Sequence, residues 1–128
     1  MSKGLPYAEH LTDAERAHLI ALNESYLDNE ALWNVLGRSI EGHAATGEEP
    51  DGKGAFNRQL RRIKDAICKD QKIIDFIDGP HAGDVLAIAM VCTAKLASVA
   101  FAGIDICAMG LLIARIGVRQ LCRSDGIE

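Results

Sequence analysis

Cysteine and histidine carry most of the reactive chemistry open to this chain, which has four of each. Cys68, Cys92, Cys107 and Cys122 lie 24, 15 and 15 residues apart, and no two form a C-x-x-C pair. All four fall in apolar stretches of helical spacing, so they are expected as small buried thiols that pack as weak hydrophobes, in preference to disulfides or zinc ligands. A nucleophilic thiol needs an electropositive, partly open setting. Cys68 comes nearest to one, with Lys64, Lys69 and Lys72 close in sequence, yet a core thiol on the inner face is the preferred reading even there. His10 and His18 are eight residues apart, about 80° round a helix, so they do not share a face. With His43 and His81 they make no metal-ligand spacing, and neither a metal nor a cofactor is expected. The segment Gly47-Glu48-Glu49-Pro50-Asp51-Gly52-Lys53 matches the G-x-x-x-x-G-K part of a phosphate-binding loop. Gly54 stands where that loop needs a hydroxyl, the residues before it have a helical and not a strand pattern, and three carboxylates would repel phosphate. Nucleotide binding is therefore not expected, and no catalytic residue is assigned.

The charge distribution is more informative. With 14 Lys and Arg against 18 Asp and Glu, the chain has net charge −4, a poor field for generic binding of nucleic acid or anionic lipid. Residues 1–54 carry net −6, residues 55–78 net +2, and the remainder balances. Arg58, Arg61, Arg62 and Lys69 flank an apolar stripe, while Glu48, Glu49 and Asp51 crowd one loop. These seven residues are the candidate interaction site: a basic face and an acidic loop that suit complementary surfaces of neighbouring molecules, in competition with a solvated face paired within the chain. RNA is not expected on the basic face, because no aromatic residue is interleaved with the bases.

The elements that must position these residues are helical throughout. A chain of 128 residues with 48% hydrophobic and 25% charged composition is expected to form one all-α domain, a compact bundle of four or five helices. The first element spans 12–41 and opens with Thr12-Asp13-Ala14-Glu15, a capping-box signature. Leu19, Leu22, Tyr26, Trp33, Leu36 and Ile40 share one stripe, either on one long helix or on two helices parted at Asp28-Asn29, with Asp28 as the second cap. Residues 42–54 are an acidic, glycine-rich, solvated loop. A basic amphipathic helix occupies 55–78, with Phe56, Leu60, Ile63, Ile67, Ile74 and Ile77 inward. Gly79-Pro80 stops it, with Gly79 free to turn left-handed.

Residues 82–122 differ in kind, being small and apolar nearly all round, and are expected as a buried antiparallel hairpin of helices over about 82–101 and 106–122. Gly103 ends the first, Asp105 caps the second, and Ile104 and Met109 occupy staple positions. The competing reading is a membrane hairpin. A spanning helix needs about twenty apolar residues, and the uncharged runs 85–94, 96–104 and 106–114 are half that. Lys95 or Asp105 would lie mid-bilayer at a cost of about 2.5–3.5 kcal/mol each. The N-terminal residues MSKGLPYAEHLTDAER contain no apolar stretch of signal-peptide length, so a cytoplasmic protein is expected, with membrane contact only after a conformational change.

The Gly37-Arg38 pair, the arginine-rich helix reaching Ile67-Cys68 and the closing segment Ile116-Gly117-Val118-Arg119-Gln120-Leu121-Cys122 resemble short helical modules of bacterial conflict and defence loci. That resemblance implies an adaptor or assembly domain of the death-fold kind, working by protein–protein contact without an active site. The expected function is thus non-enzymatic interaction or assembly, with itself or a protein partner. Two other classes compete: a membrane-active effector that inserts its 82–122 hairpin on activation, and a small enzyme using Cys68 or a histidine.

Overall fold

The computed structural model describes residues 6–25, 28–41, 52–80, 83–99 and 105–126. These residues are helical, with no strand among them: a 3-10 turn at Ala8–His10 precedes α1 (Asp13–Glu24), α2 (Asn29–Glu41), α3 (Gly52–Arg58), α4 (Leu60–Ile67), α5 (Gln71–Ile77), α6 (Val85–Ser98), α7 (Ile106–Ile116) and α8 (Val118–Arg123). The capping box forms as expected. Thr12 Oγ1 accepts from the Glu15 amide at 3.0 Å and Glu15 Oε1 accepts from the Thr12 amide at 2.8 Å. The N-terminal stripe divides at Asp28, whose carboxylate accepts from the Ala31 amide at 2.8 Å and starts a second helix. Leu19 and Leu22 of α1 and Leu32, Trp33 and Leu36 of α2 then turn into the core, where Trp33 meets Phe56 edge-on, ring centroids 5.2 Å apart.

The expected single helix over 55–78 is three helices. The chain leaves helical geometry at Gln59 and again after Ile67, where Asp70 adopts an extended backbone and its side chain accepts from the Lys72 and Ile73 amides at 2.9 and 3.3 Å. The second break slips the apolar phase by one residue: Ile73 is fully buried, and Ile74 is only half-buried. Helical periodicity hides such a slip, because Ile74 also falls on the stripe extrapolated from Ile67. α5 does end before Gly79-Pro80, but Gly79 is not left-handed; its amide donates to the Phe76 carbonyl at 3.2 Å in an ordinary turn.

The C-terminal pair is buried as expected. Asp84 and Asp105 cap α6 and α7, accepting from the Ala87 and Ala108 amides at 3.0 and 3.1 Å. Thr93 faces Ile106 and Gly110, and Ala89 faces Gly110, so the helices run antiparallel. They touch closely: a methyl group on Gly110 would lie 2.0 Å from Thr93 Oγ1 and 3.0 Å from the Ala89 carbonyl oxygen. The expected last helix over 106–122 breaks at Gly117, whose φ of +100° is strained for any side chain. The slip at 68–70, the break at Gln59 and this turn account for the eight α-helices among the described residues, where four or five are expected from periodicity. Gly103, Ile104, the 42–51 part of the acidic loop and the helix ends at 82 and 100–101 lie outside the described residues. No helix among the described residues is long and apolar enough to cross a membrane.

One pairing overturns the thiol expectation. Cys68, just past α4, and Cys122, in α8, form a disulfide across 54 residues, with Cα atoms 5.7 Å apart. The thiol expectation rested on an expected reducing compartment and on burial; both cysteines are only partly buried, and α8 is brought alongside the end of α4 by the turn at Gly117. Cys92 and Cys107 are the buried thiols expected.

Candidate functional site

Burial of Leu60, Ile63 and Ile67 turns the intervening residues of α4 outward. Arg58, Arg61, Arg62 and Lys69 are all exposed. Asn57, Leu60, Arg61, Lys64, Asp65, Cys68, Lys69 and Asp125 line an open cleft of about 430 Å³. Two of the expected site residues, Arg61 and Lys69, therefore meet in one concavity. Arg62 lies on the other side of α4, against a shallower cleft of about 300 Å³ shared with Asp65, Ala66, Lys95 and Val99. Arg58 is outside both. Glu48, Glu49 and Asp51 lie outside the described residues.

The cations of the cleft differ in how far they are already satisfied. Lys69 pairs with Asp65 at 3.0 Å, but both side chains are more than half exposed, and an i,i+4 pair of that kind contributes about 0.3–0.5 kcal/mol. Lys64 Nζ donates to the Ser124 carbonyl at 2.8 Å. Among the described residues, the side chains of Arg61 and Arg58 make neither an ion pair nor a hydrogen bond. Sequence reading missed the C-terminal contribution of Ser124 and Asp125, because nothing local links them to α4; the even cysteine count was the one signal that could have done so.

A second polar cluster sits where three elements meet. Asp70 accepts from the Tyr7 hydroxyl and pairs with Lys95 Nζ at 3.0 Å. Lys95 also stands 4.7 Å and Lys72 5.5 Å from the centre of the Tyr7 ring. Burial is the strongest single influence on the Asp70 carboxyl and pushes its pKa up. The Tyr7 hydroxyl, the Lys95 ammonium and the Ile73 amide together outweigh it, so the carboxyl is held below its ordinary value. The hydrogen bond to Asp70, followed by burial, raises the Tyr7 phenol. Tyr7 has a φ of +62°, a sparsely populated conformation for an aromatic residue, and this cluster holds it there. The arrangement ties the N-terminal turn to the α4–α5 junction and α6. Tyr7→Phe is expected to destabilise the fold by about 1.5 kcal/mol, read by urea denaturation.

The thiols are poorly suited to nucleophilic work. Cys68 is committed to the disulfide, which removes the thiolate that made it the nearest candidate. Burial pushes the Cys92 thiol up to about 12, and burial aided by the charges of Asp105 and Glu15 does the same to Cys107, whose Sγ donates to the Glu15 carbonyl at 3.3 Å. His18 Nε2 meets Asp105 Oδ2 at 2.9 Å, an exposed contact to a carboxylate already capping α7. His10 lies beside Tyr7, their ring centres 6.5 Å apart; His43 and His81 are outside the described residues. Among those residues no three His, Cys, Asp or Glu side chains are grouped to hold a metal ion. A thiol titration follows: the unfolded, unreduced chain is expected to release two thiols and the reduced chain four, with neither thiol reacting promptly in the folded protein at pH 8. Four thiols without reductant would refute the Cys68–Cys122 pairing.

Comparison with protein-family models, with curated proteins and with solved structures finds no match.

Proposed function

We propose that this chain is a non-enzymatic docking module that captures an acidic protein segment on the basic face of α4. The observation that carries the reading is Arg61: exposed, with a side chain unpaired among the described residues, and set in a cleft that Lys64 and Lys69 also line. A guanidinium in that position can take a carboxylate in two parallel hydrogen bonds, with the neighbouring ammonium groups adding attraction at longer range. Arg58 and Arg62 extend the positive surface on either side. The acidic segment belongs to a protein partner or to a second copy of the chain, whose Glu48, Glu49 and Asp51 have the required charge and would generate head-to-tail assembly. An assembly role is also what the resemblance of the sequence motifs to helical adaptor modules of bacterial conflict loci implies.

Light scattering after size-exclusion chromatography, at about 20 mM and about 500 mM salt, tests self-association, because exposed charges are screened within a few ångströms at the higher salt. Assemblies are expected at low salt, and dissociation is expected at high salt and in the Arg58→Glu, Arg61→Glu double variant. A wild-type monomer under both conditions would eliminate the second copy as partner. Charge reversal without effect on an observed assembly would refute the basic face as its interface. The membrane-effector class gains no support from helices as short as α6 and α7, and the enzyme class loses its leading nucleophile to the disulfide.

A further inference from the structure

The basic cleft is already partly filled by the chain's own C-terminal segment. Lys64 donates to the Ser124 carbonyl, and Asp125 contributes to the cleft lining without an ion pair to any cation there. The segment is shaped for this position. Ser124 Oγ donates to the Gly126 carbonyl at 2.7 Å and accepts from the Gly126 amide at 3.1 Å, which brings Gly126 against Asn57 at the rim. Immediately before this turn stands Cys122, bonded to Cys68 of the cleft itself.

We infer that residues 124–126, whose single charge is Asp125, are a tethered acidic stand-in for the partner, and that reduction of Cys68–Cys122 releases them and opens the cleft to an acidic peptide. This rests on the docking function proposed above and adds its regulation. The chemistry is ordinary thiol–disulfide exchange. A thiolate of a dithiol reductant attacks one cysteine sulfur, the bond between Cys68 and Cys122 breaks, and the second thiol of the reductant resolves the mixed disulfide. Two electrons and two protons pass to the two cysteines, and the reductant leaves as a disulfide. Both sulfurs belong to partly exposed residues, so attack needs no unfolding. The movement is local. Val118 and Leu121 are buried in the core and Arg119 pairs with Asp78, so the first turn of α8 stays docked. Beyond Cys122, the hydrogen bond from Lys64 to Ser124 is a polar tether to α4. Without Asp125, the cleft keeps Arg61, Lys64 and Lys69 against Asp65 alone.

Two measurements on the full chain test this. Fluorescence anisotropy with a labelled oligoglutamate peptide is expected to show about tenfold tighter binding by dithiothreitol-reduced protein than by oxidised protein, and Cys122→Ser is expected to bind as the reduced form does with or without reductant. The oxidised Asp125→Asn variant, which keeps the disulfide and an exposed position, is expected to bind about threefold tighter than oxidised wild type. Amide exchange in 124–126 is expected to speed up about tenfold on reduction while α6 and α7 stay slow. Unchanged exchange in 124–126, or an Asp125→Asn protein that binds no tighter, overturns the gate. Equal binding by oxidised and reduced wild type overturns the gate and leaves the docking function standing. Failure of every form to bind overturns both.

Discussion

Gly110→Ala is expected to destabilise the protein by about 3 kcal/mol, the upper end of the usual cost of overpacking a core. The direction opposes helix propensity, which favours alanine over glycine by about 1 kcal/mol in a helix interior. Packing decides the sign. The added methyl would stand 2.0 Å from Thr93 Oγ1, 3.1 Å from Thr93 Cβ and 3.0 Å from the Ala89 carbonyl oxygen. Thr93 is fully buried and β-branched, so it has little rotamer freedom with which to withdraw, and the Ala89 oxygen is backbone. α6 and α7 must separate, and every side chain interleaved between them loses contact. Thr93→Ala in the same chain is expected to recover part of the loss, because the backbone obstacle remains. Gly83→Ala is the control, since nothing lies within 4 Å of its added methyl. Urea denaturation of the four proteins measures the differences, and a Gly110→Ala chain as stable as wild type would show that the hairpin is not closely packed.

Asp70→Ala is expected to cost about 3 kcal/mol, the lower end of the range for breaking one partner of a buried ion pair. The side chain of Asp70 is 9% exposed and that of Lys95 20%, so the abandoned ammonium keeps some access to water. The same substitution removes the α5 cap and the acceptor of the Tyr7 hydroxyl. Asp70→Asn retains one oxygen for the cap but puts an amide NH2 in place of the oxygen that faces Tyr7 and Lys95, and is expected to lose less because the cap survives. The pH dependence has a definite sign at each end. The folded-state pKa of Asp70 is lowered, so its contribution is complete above the ordinary carboxyl value and is lost as pH falls through the folded one, below about pH 4. The pKa of Tyr7 is raised, so its contribution is complete below the ordinary phenol value and is lost as pH rises through the folded one, beyond about pH 10. The stability gap between wild type and Asp70→Ala is expected to be flat between these limits and to narrow outside them. A gap that stays constant down to pH 2 would refute the ion-pair account.

The outward placement of the four basic residues was legible because its signals are short-range. Arg58, Arg61, Arg62 and Lys69 were placed outward by the stripe of Leu60, Ile63 and Ile67 between them, and they are exposed. Which of them share a concavity was not legible, since the helix ends again after Ile67 and Lys69 follows a turn. Cys68 was misread for the same reason. Its lysine neighbours were visible in sequence, but Cys122 lies 54 residues away.

The amino-acid sequence by itself determined the helical class, the caps at Thr12, Asp28 and Asp105, the inward residues Leu19, Leu22, Trp33, Leu36, Phe56, Leu60, Ile63 and Ile67, and the burial of the C-terminal hairpin. Each of these depends on interactions between residues three or four apart, which spacing records directly. The tertiary structure alone decided the break at Asp70, the disulfide, and the approach of Asp125 to the α4 cations. The first of these needs a tyrosine 63 residues upstream and a lysine from α6 to hold a cap in place, and the others need α8 to fold back on α4. Such contacts depend on where whole helices come to rest, a property of the packed core and not of any one segment.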